Sequence, residues 1–246
     1  MNAKFGVFLP FYAFGFEDGN YRSFEKLKEL ALECERLGYH SIWIDDHLMY
    51  ADKPLLECWT LLSALAASTR TIRLGTLVLC NQFRNPALLA KMAATLDVIS
   101  NGRLELGIGA GIQRQEHLAY GYPFPKLKTR AERLSETLEI LTQMWTKPKA
   151  SFQGRHFKVK GAVCQPKPLQ KPHPPITIGG CSSPIIKVTA KYADRFDWGP
   201  MPLEAYKHKL SLLQANCREI NRNPKQIEKA CWPQATLYLA RDRQEL

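Results

Sequence analysis

The sequence predicts an α/β fold, a (β/α)8 barrel, and three observations carry that expectation. Short apolar strand segments alternate with amphipathic helical segments along the chain, an order that implies a parallel sheet. The strands read as near-continuous apolar runs, as in a sheet covered by helices. The length, 246 residues, is close to that of a single α/β barrel. An open doubly wound sheet shares the element order and stays as the alternative.

The strand segments fall at 5–10 (FGVFLP), 41–45 (SIWID), 73–79 (RLGTLVL), 103–109 (RLELGIG), 175–180 (PITIGG), 195–199 (RFDWG) and 235–240 (ATLYLA). Between the first two, Phe24, Leu27, Leu30, Ala31, Cys34 and Leu37 share a helical face, with Ser23 as N-cap and Gly38 as terminator. After the third strand, Asn85 caps a helix with Pro86 at its first position and Gly102 past its end. The run TRAERLSETLEILTQMW offers a capping box, Thr129 with Glu132. A further helix starts near Ser183-Pro184, and another fills about 203–220. Residues 151–175 are too long and proline-rich for an ordinary connection. They are expected to form a hairpin followed by an extended strap over the barrel mouth. The whole chain, 1–246, reads as a single barrel domain. Seven strands are found and the chain stops soon after the seventh, so the eighth strand–helix unit is expected to be missing.

Composition narrows the function. No run of 18 apolar residues is present, so no membrane helix is expected. The N-terminus enters a strand directly, without a signal-like leader. Seven scattered cysteines without a C-x-x-C pair suggest reduced thiols and a cytoplasmic setting. The net charge of +11 is uneven: residues 1–123 hold 12 Lys+Arg against 13 Asp+Glu, residues 124–246 hold 22 against 10. The basic residues lack a nucleic-acid-binding module, so a polyanionic small molecule or a solvated basic surface is preferred to nucleic acid.

Chemistry in a parallel barrel gathers where the strands end. The segments expected there are LPFYAFGF, DDHLMY, LCNQFRNP, GAGIQRQEH and GGCSSP. Asp45, Asp46 and His47 would then share a mouth with two glycine-rich turns. Alternation is expected to point Asp45 away from Asp46, so that Asp45 caps or braces the loop. GIGAG (107–111) fails the G-x-G-x-x-G dinucleotide pattern and is either a tight strand exit or a close backbone approach to a planar ligand. IGGCSSP is an anion candidate, with Gly179 and Gly180 leading into a helix N-terminus. The six histidines show no metal-binding spacing, so no metal is expected, and His117 reads as a loop or helix-start residue. Phe8, Phe11, Tyr12, Phe14 and Phe16 either line a pocket or anchor the core.

Several runs occur in one order: FGVFLP, SIWIDDHL, RLGTLVL…FRNPALLAKMAATLDVISNGRLELGIGAG, EILTQMW, F-x-G and PKP-x-Q-x-PHPPI-x-IGG. In that order the chain resembles the bacterial luciferase-like superfamily over about 5–200. More narrowly, it resembles the coenzyme F420-dependent oxidoreductases, the group that contains methylenetetrahydromethanopterin reductase. The resemblance implies a barrel of that type holding a deazaflavin at its mouth. Asp46 would border the deazaflavin headgroup, and His47 would face the site of hydride exchange. A non-prolyl cis peptide is implied at Leu77–Val78, behind the ring. Gly109, Ala110 and Gly111 would contact the ring or ribityl chain, and Gly179 and Gly180 the phosphate. A homodimer is implied as well. Two departures stand out. Ile112 replaces the glutamate that a sugar-phosphate-oxidising relative carries after the strand-4 glycines, and the eighth unit is wanting. The expected function is hydride transfer between F420 and a small organic substrate. The alternatives are an FMN-dependent monooxygenase and a non-catalytic flavin- or deazaflavin-binding protein.

Overall fold

The computed structural model describes residues 3–9, 24–50 and 54–231. In chain order it contains β1 (Gly6–Phe8), α1 (Phe24–Arg36), β2 (Ser41–Ile44), α2 (Cys58–Ser68), β3 (Arg73–Thr76), β4 (Leu79–Cys80), α3 (Pro86–Ile99) and β5 (Leu104–Gly109). Then follow α4 (Arg114–Ala119), α5 (Leu127–Thr146), β6 (Ala150–Gln153), β7 (Lys158–Ala162), β8 (Ile176–Gly179), α6 (Ser183–Tyr192), β9 (Arg195–Trp198), α7 (Leu203–Glu219) and β10 (Glu228–Cys231). The strands β1, β2, β3, β5, β8, β9 and β10 pair in that order and all in parallel, with β4 also beside β5. The last described strand, β10, lies outside the segments the sequence singled out, and 235–240 falls outside the described residues, as do Ser23 and the aromatics Phe11, Tyr12, Phe14 and Phe16.

The sheet is curled, and contacts across its concave side show it. Arg73 on β3 and Arg195 on β9 both pair with Glu105 on β5, the second at 3.0 Å. At the two edges, Lys4 ahead of β1 approaches Glu228 of β10 at 4.0 Å. Strand alternation sorts the two faces. Ile42, Ile44, Leu74, Leu106, Ile108, Ile176, Ile178, Phe196 and Trp198 are buried against the helical layer; Phe196 and Trp198 stack at 4.0 Å, and Tyr206 of α7 meets Trp198 at 5.4 Å. The inner face carries charge, glycine and the Trp43 ring. Trp43 lies where side chains at its neighbours Gly6 and Gly75 would otherwise be.

Most helix boundaries follow the sequence signals. Asn85 Oδ1 accepts from the amides of Ala87 and Leu88 at 2.9 and 3.3 Å, and Gly102 adopts a positive φ past α3. The expected capping box at Thr129 and Glu132 is not formed. The N-cap of α5 is Lys126, three residues earlier, and the Glu132 carboxylate pairs instead with His156 at 3.0 Å.

Residues 151–175 contribute no barrel strand: β6 and β7 form a separate antiparallel hairpin. The strap that follows does not cover the mouth. Gln170 bonds Asp97 near the end of α3, the Leu104 carbonyl at the start of β5, and Arg73 at the start of β3. It therefore closes the end of the barrel where strands begin. Topology explains the correction. A helix that follows a barrel strand runs back to the strands' N-terminal end, so everything between α5 and β8 begins and finishes at that end.

Candidate active site

The β2 exit carries on the alternation of the strand, with the opposite parity to that expected. Because Ile42 and Ile44 face the helices, Asp46 does too, while Asp45 follows Trp43 to the inside. Asp46 is 4% exposed and its two oxygens take Arg84 as a fork, at 2.5 and 2.9 Å. It also accepts the Cys80 amide at 2.8 Å. Arg84 in turn bonds Glu57, the N-cap of α2, at 2.6 Å. Two carboxylates against one buried guanidinium hold that cation charged, well above its usual range, against the cost of burial. Asp46 is thus the brace, and it ties the β2 exit to the β4 backbone.

His47 projects into the mouth between two carboxylates. Its Nδ1 lies 3.1 Å from Glu116 Oε2, and its Nε2 lies 3.8 Å from Asp45 Oδ2. Glu116 comes from α4 and is 3% exposed. Its other oxygen accepts the amides of Leu48 and Met49, the latter at 3.2 Å. Tyr120, also near α4, donates to the Leu48 carbonyl at 2.8 Å, so the loop after β2 is clamped to α4 at two points. The hydrogen bond to Glu116 raises the His47 pKa; burial opposes it, and the nearby Asp45 charge adds to it. Burial pushes Glu116 up, but its bonds to His47 and the two amides outweigh this and leave it low. The net result is an imidazole that keeps its proton above its ordinary range.

Sequence reasoning did not single out Glu116. It lies 69 residues from His47, in a six-residue helix too short to show a period. The available signal was topological, since its segment was among those expected at the mouth. His117 beside it is a core residue, donating from Nδ1 to the Gln113 carbonyl at 2.7 Å and packed on Phe83 and Phe124.

The Leu77–Val78 peptide bond is cis, at the break between β3 and β4. The Val78 side chain fills space that side chains at Gly109 and Gly179 would need. A β-carbon on either would fall 2.9 or 2.7 Å from Val78 Cγ2. These glycines therefore admit the bulge, and the bulge forms the wall that a ligand would meet. Gly111 is closed in by Cys80 and His117, and its carbonyl accepts Arg130 at 2.7 Å; Ala110 beside it is buried. Gly180 has φ +101°, a conformation other residues resist, and its amide donates to the Asp197 carbonyl at 3.3 Å. Helix α6 begins just beyond.

A luciferase-like monooxygenase family model matches residues 3–246. The chain belongs to that family. It is 33% identical over 175 residues to the F420-dependent glucose-6-phosphate dehydrogenase of Amycolatopsis mediterranei (strain U-32), covering 69% of this chain and 50% of that protein. The chain spans about half the length of the curated relatives it matches. Among solved structures, monooxygenase RslO1 from Streptomyces bottropensis is 26% identical with a TM-score of 0.79, covering 99% of this chain and 74% of its own. An F420-dependent secondary alcohol dehydrogenase in complex with an F420–acetone adduct shares the fold, with a TM-score of 0.81 at 22% identity over 94% of this chain and 68% of that one.

In this luciferase-like chain, a cavity of about 140 Å³ opens beside the bulge, lined by Leu77, Val78, Gly179, Asp197 and Gly199. Ile112, 78% exposed, stands where the resemblance would place an acid. Among the described residues no cluster of three or more metal-ligating side chains occurs, and no helix is long and apolar enough to cross a membrane.

Proposed function

We propose that this chain serves hydride transfer between coenzyme F420 and a small organic substrate, with His47 as the proton-transfer group. The observation that carries the reading is an imidazole fixed at the mouth by Glu116 at 3.1 Å, a bond that raises its pKa. A wall at the same strand ends suits a planar ring. Leu77, Val78, Gly179 and Gly199 present apolar or side-chain-free surface, and a β-carbon at Gly199 would meet nothing within 4 Å. A deazaflavin bound here would supply a two-electron hydride acceptor or donor. Leu77 and Val78 would back its ring, and Gly109, Ala110 and Gly111 would shape the adjoining turn. Gly179 and Gly180 would lead its phosphate toward the N-terminus of α6. Asp46 would act at one remove, by holding the mouth backbone through Arg84 and Cys80.

His47 can give a proton to, or take one from, a substrate oxygen as its charge changes, and Glu116 fixes which ring nitrogen faces the ligand. Asp45 stabilises the imidazolium from the other side. Titration of the chain with F420, followed by absorbance, tests the coenzyme. His47→Ala should slow chemistry by about 10²–10⁴ while leaving F420 affinity within a few-fold. Full turnover in that variant would assign the proton to another group. The match to RslO1 over nearly the whole chain favours a second reading, an FMN-dependent monooxygenase. Preferential binding of FMN over F420 in the same titration would select it.

A further inference from the structure

Asp197 lies outside the machinery described so far, yet it borders the cavity. It occupies the inner face of β9, since Phe196 and Trp198 on either side are buried against α7. Gly179 on β8 is its register partner. Its Oδ1 is buried and has no hydrogen-bond partner among the described residues. Thr177 Oγ1, on the same inner face one step deeper, is unpartnered as well. Buried polar atoms are rarely left unpaired, because each forfeits about 1–3 kcal/mol. Arg195, two residues earlier on the same face, does not relieve Asp197: its guanidinium bonds Glu105 and Glu228. An orphaned carboxylate oxygen beside a cavity, with an unpaired hydroxyl behind it, indicates a group that arrives from outside.

We propose that Asp197 is a ligand-recognition residue whose carboxylate accepts a hydrogen bond from an N–H or O–H group of the molecule filling this cavity and turns away a substrate phosphate or carboxylate there, the coenzyme's own phosphate lying outside the cavity, past Gly180 at the start of α6. The proposal rests on the functional reading above and deepens it. Burial pushes the Asp197 carboxyl up to about 6, with Arg195 pulling the other way, so at neutral pH the wall carries negative charge. A half-buried anion repels a second anion, because the protein around it screens them less than bulk water would. Among the described residues bordering the cavity there is no cation to offset it. A neutral donor can come from the coenzyme ring or from a neutral, hydroxyl-bearing substrate, and the two sources can be separated.

The experiment compares the full chain with Asp197→Asn, which keeps the shape and one acceptor oxygen, and Asp197→Leu, which removes both acceptors. Binding of F420 and FMN is measured by fluorescence titration. Glucose and glucose 6-phosphate are then added to the coenzyme-loaded chain and followed by the change in coenzyme absorbance, so turnover is not needed. If the donor is on the coenzyme, Asp197→Leu weakens coenzyme binding at least tenfold and Asp197→Asn recovers most of it. If the donor is on the substrate, coenzyme affinity holds in all three. The wild-type chain then responds to glucose better than to its phosphate, and both variants narrow that preference. Coenzyme affinity and the preference between the two sugars both within twofold of wild type in folded Asp197→Leu would overturn the inference while leaving the functional reading intact. A wild-type response equal for glucose and its phosphate would overturn the exclusion of anions. A wild-type chain that binds neither F420 nor FMN would overturn the functional reading, and this inference with it.

Discussion

Glu116→Gln tests the core of the site without emptying it. The amide keeps the volume of the carboxylate and one acceptor oxygen, so it can serve either the Leu48 and Met49 amides or His47, but not both as a charge. The loss is one charge-assisted bond to His47 at 3.1 Å, in a place where the Glu116 side chain is 4% exposed and His47 19%. Such a bond is worth about 1.5–3 kcal/mol. In a chain of this size about 2 kcal/mol corresponds to a fall of roughly 4–8 °C in Tm. The loss depends on pH, and its direction follows from the two shifts. His47 has a raised pKa in the folded chain, so its stabilisation is full below its ordinary value of 6.5 and fades as pH rises through the higher folded value. Glu116 has a lowered one, so its share is present above 4.5 and fades as pH falls below that. The gap between wild type and variant should therefore be widest near pH 5.5 and narrower at pH 9. Urea and thermal unfolding at both pH values measure it. A gap under about 0.5 kcal/mol at pH 5.5, or one equal at both pH values, would refute the pairing as the source of the histidine's charge.

The remaining expectations concern the walls of the mouth. Arg84→Met should cost about 3–5 kcal/mol by stranding Asp46 in a buried site, read as a large fall in urea midpoint, whereas a surface-like loss below 1 kcal/mol would show that Asp46 is solvated. Gly179→Ala should destabilise by about 1–3 kcal/mol through contact with Val78, and Val78→Ala in the same chain should recover much of it; additive effects in the double variant would place the clash elsewhere. Gly180→Val should lower both stability and coenzyme affinity, because its φ of +101° suits glycine alone; unchanged values in a titration and a melt would remove Gly180 from the site.

The sequence by itself determined the strand–helix alternation, the caps at Asn85 and Gly102, and the grouping of DDHLMY, LCNQFRNP, GAGIQRQEH and GGCSSP at one end of a barrel. These follow from local periodicity, turn chemistry and the rule that barrel strands end at the functional face, none of which needs a distant contact. The cis bond at Leu77–Val78 was legible only through family resemblance, since nothing local in two apolar residues signals it. The parity of Asp45 and Asp46 was open to sequence and still misread. Both faces of a barrel strand are covered, so alternation does not reveal which face is inside until Trp43 is seen lying over Gly75. The strap after β7 was misplaced because length and proline content say that a segment is extended, while chain direction decides which end it covers. The pairings of Glu116 with His47 and Arg84 with Asp46, and the turn of Asp197 toward the cavity, were settled by tertiary structure alone. Each joins or orients groups set by the curl of the whole sheet, and a buried carboxylate reads in sequence like any exposed one until its partners are in place.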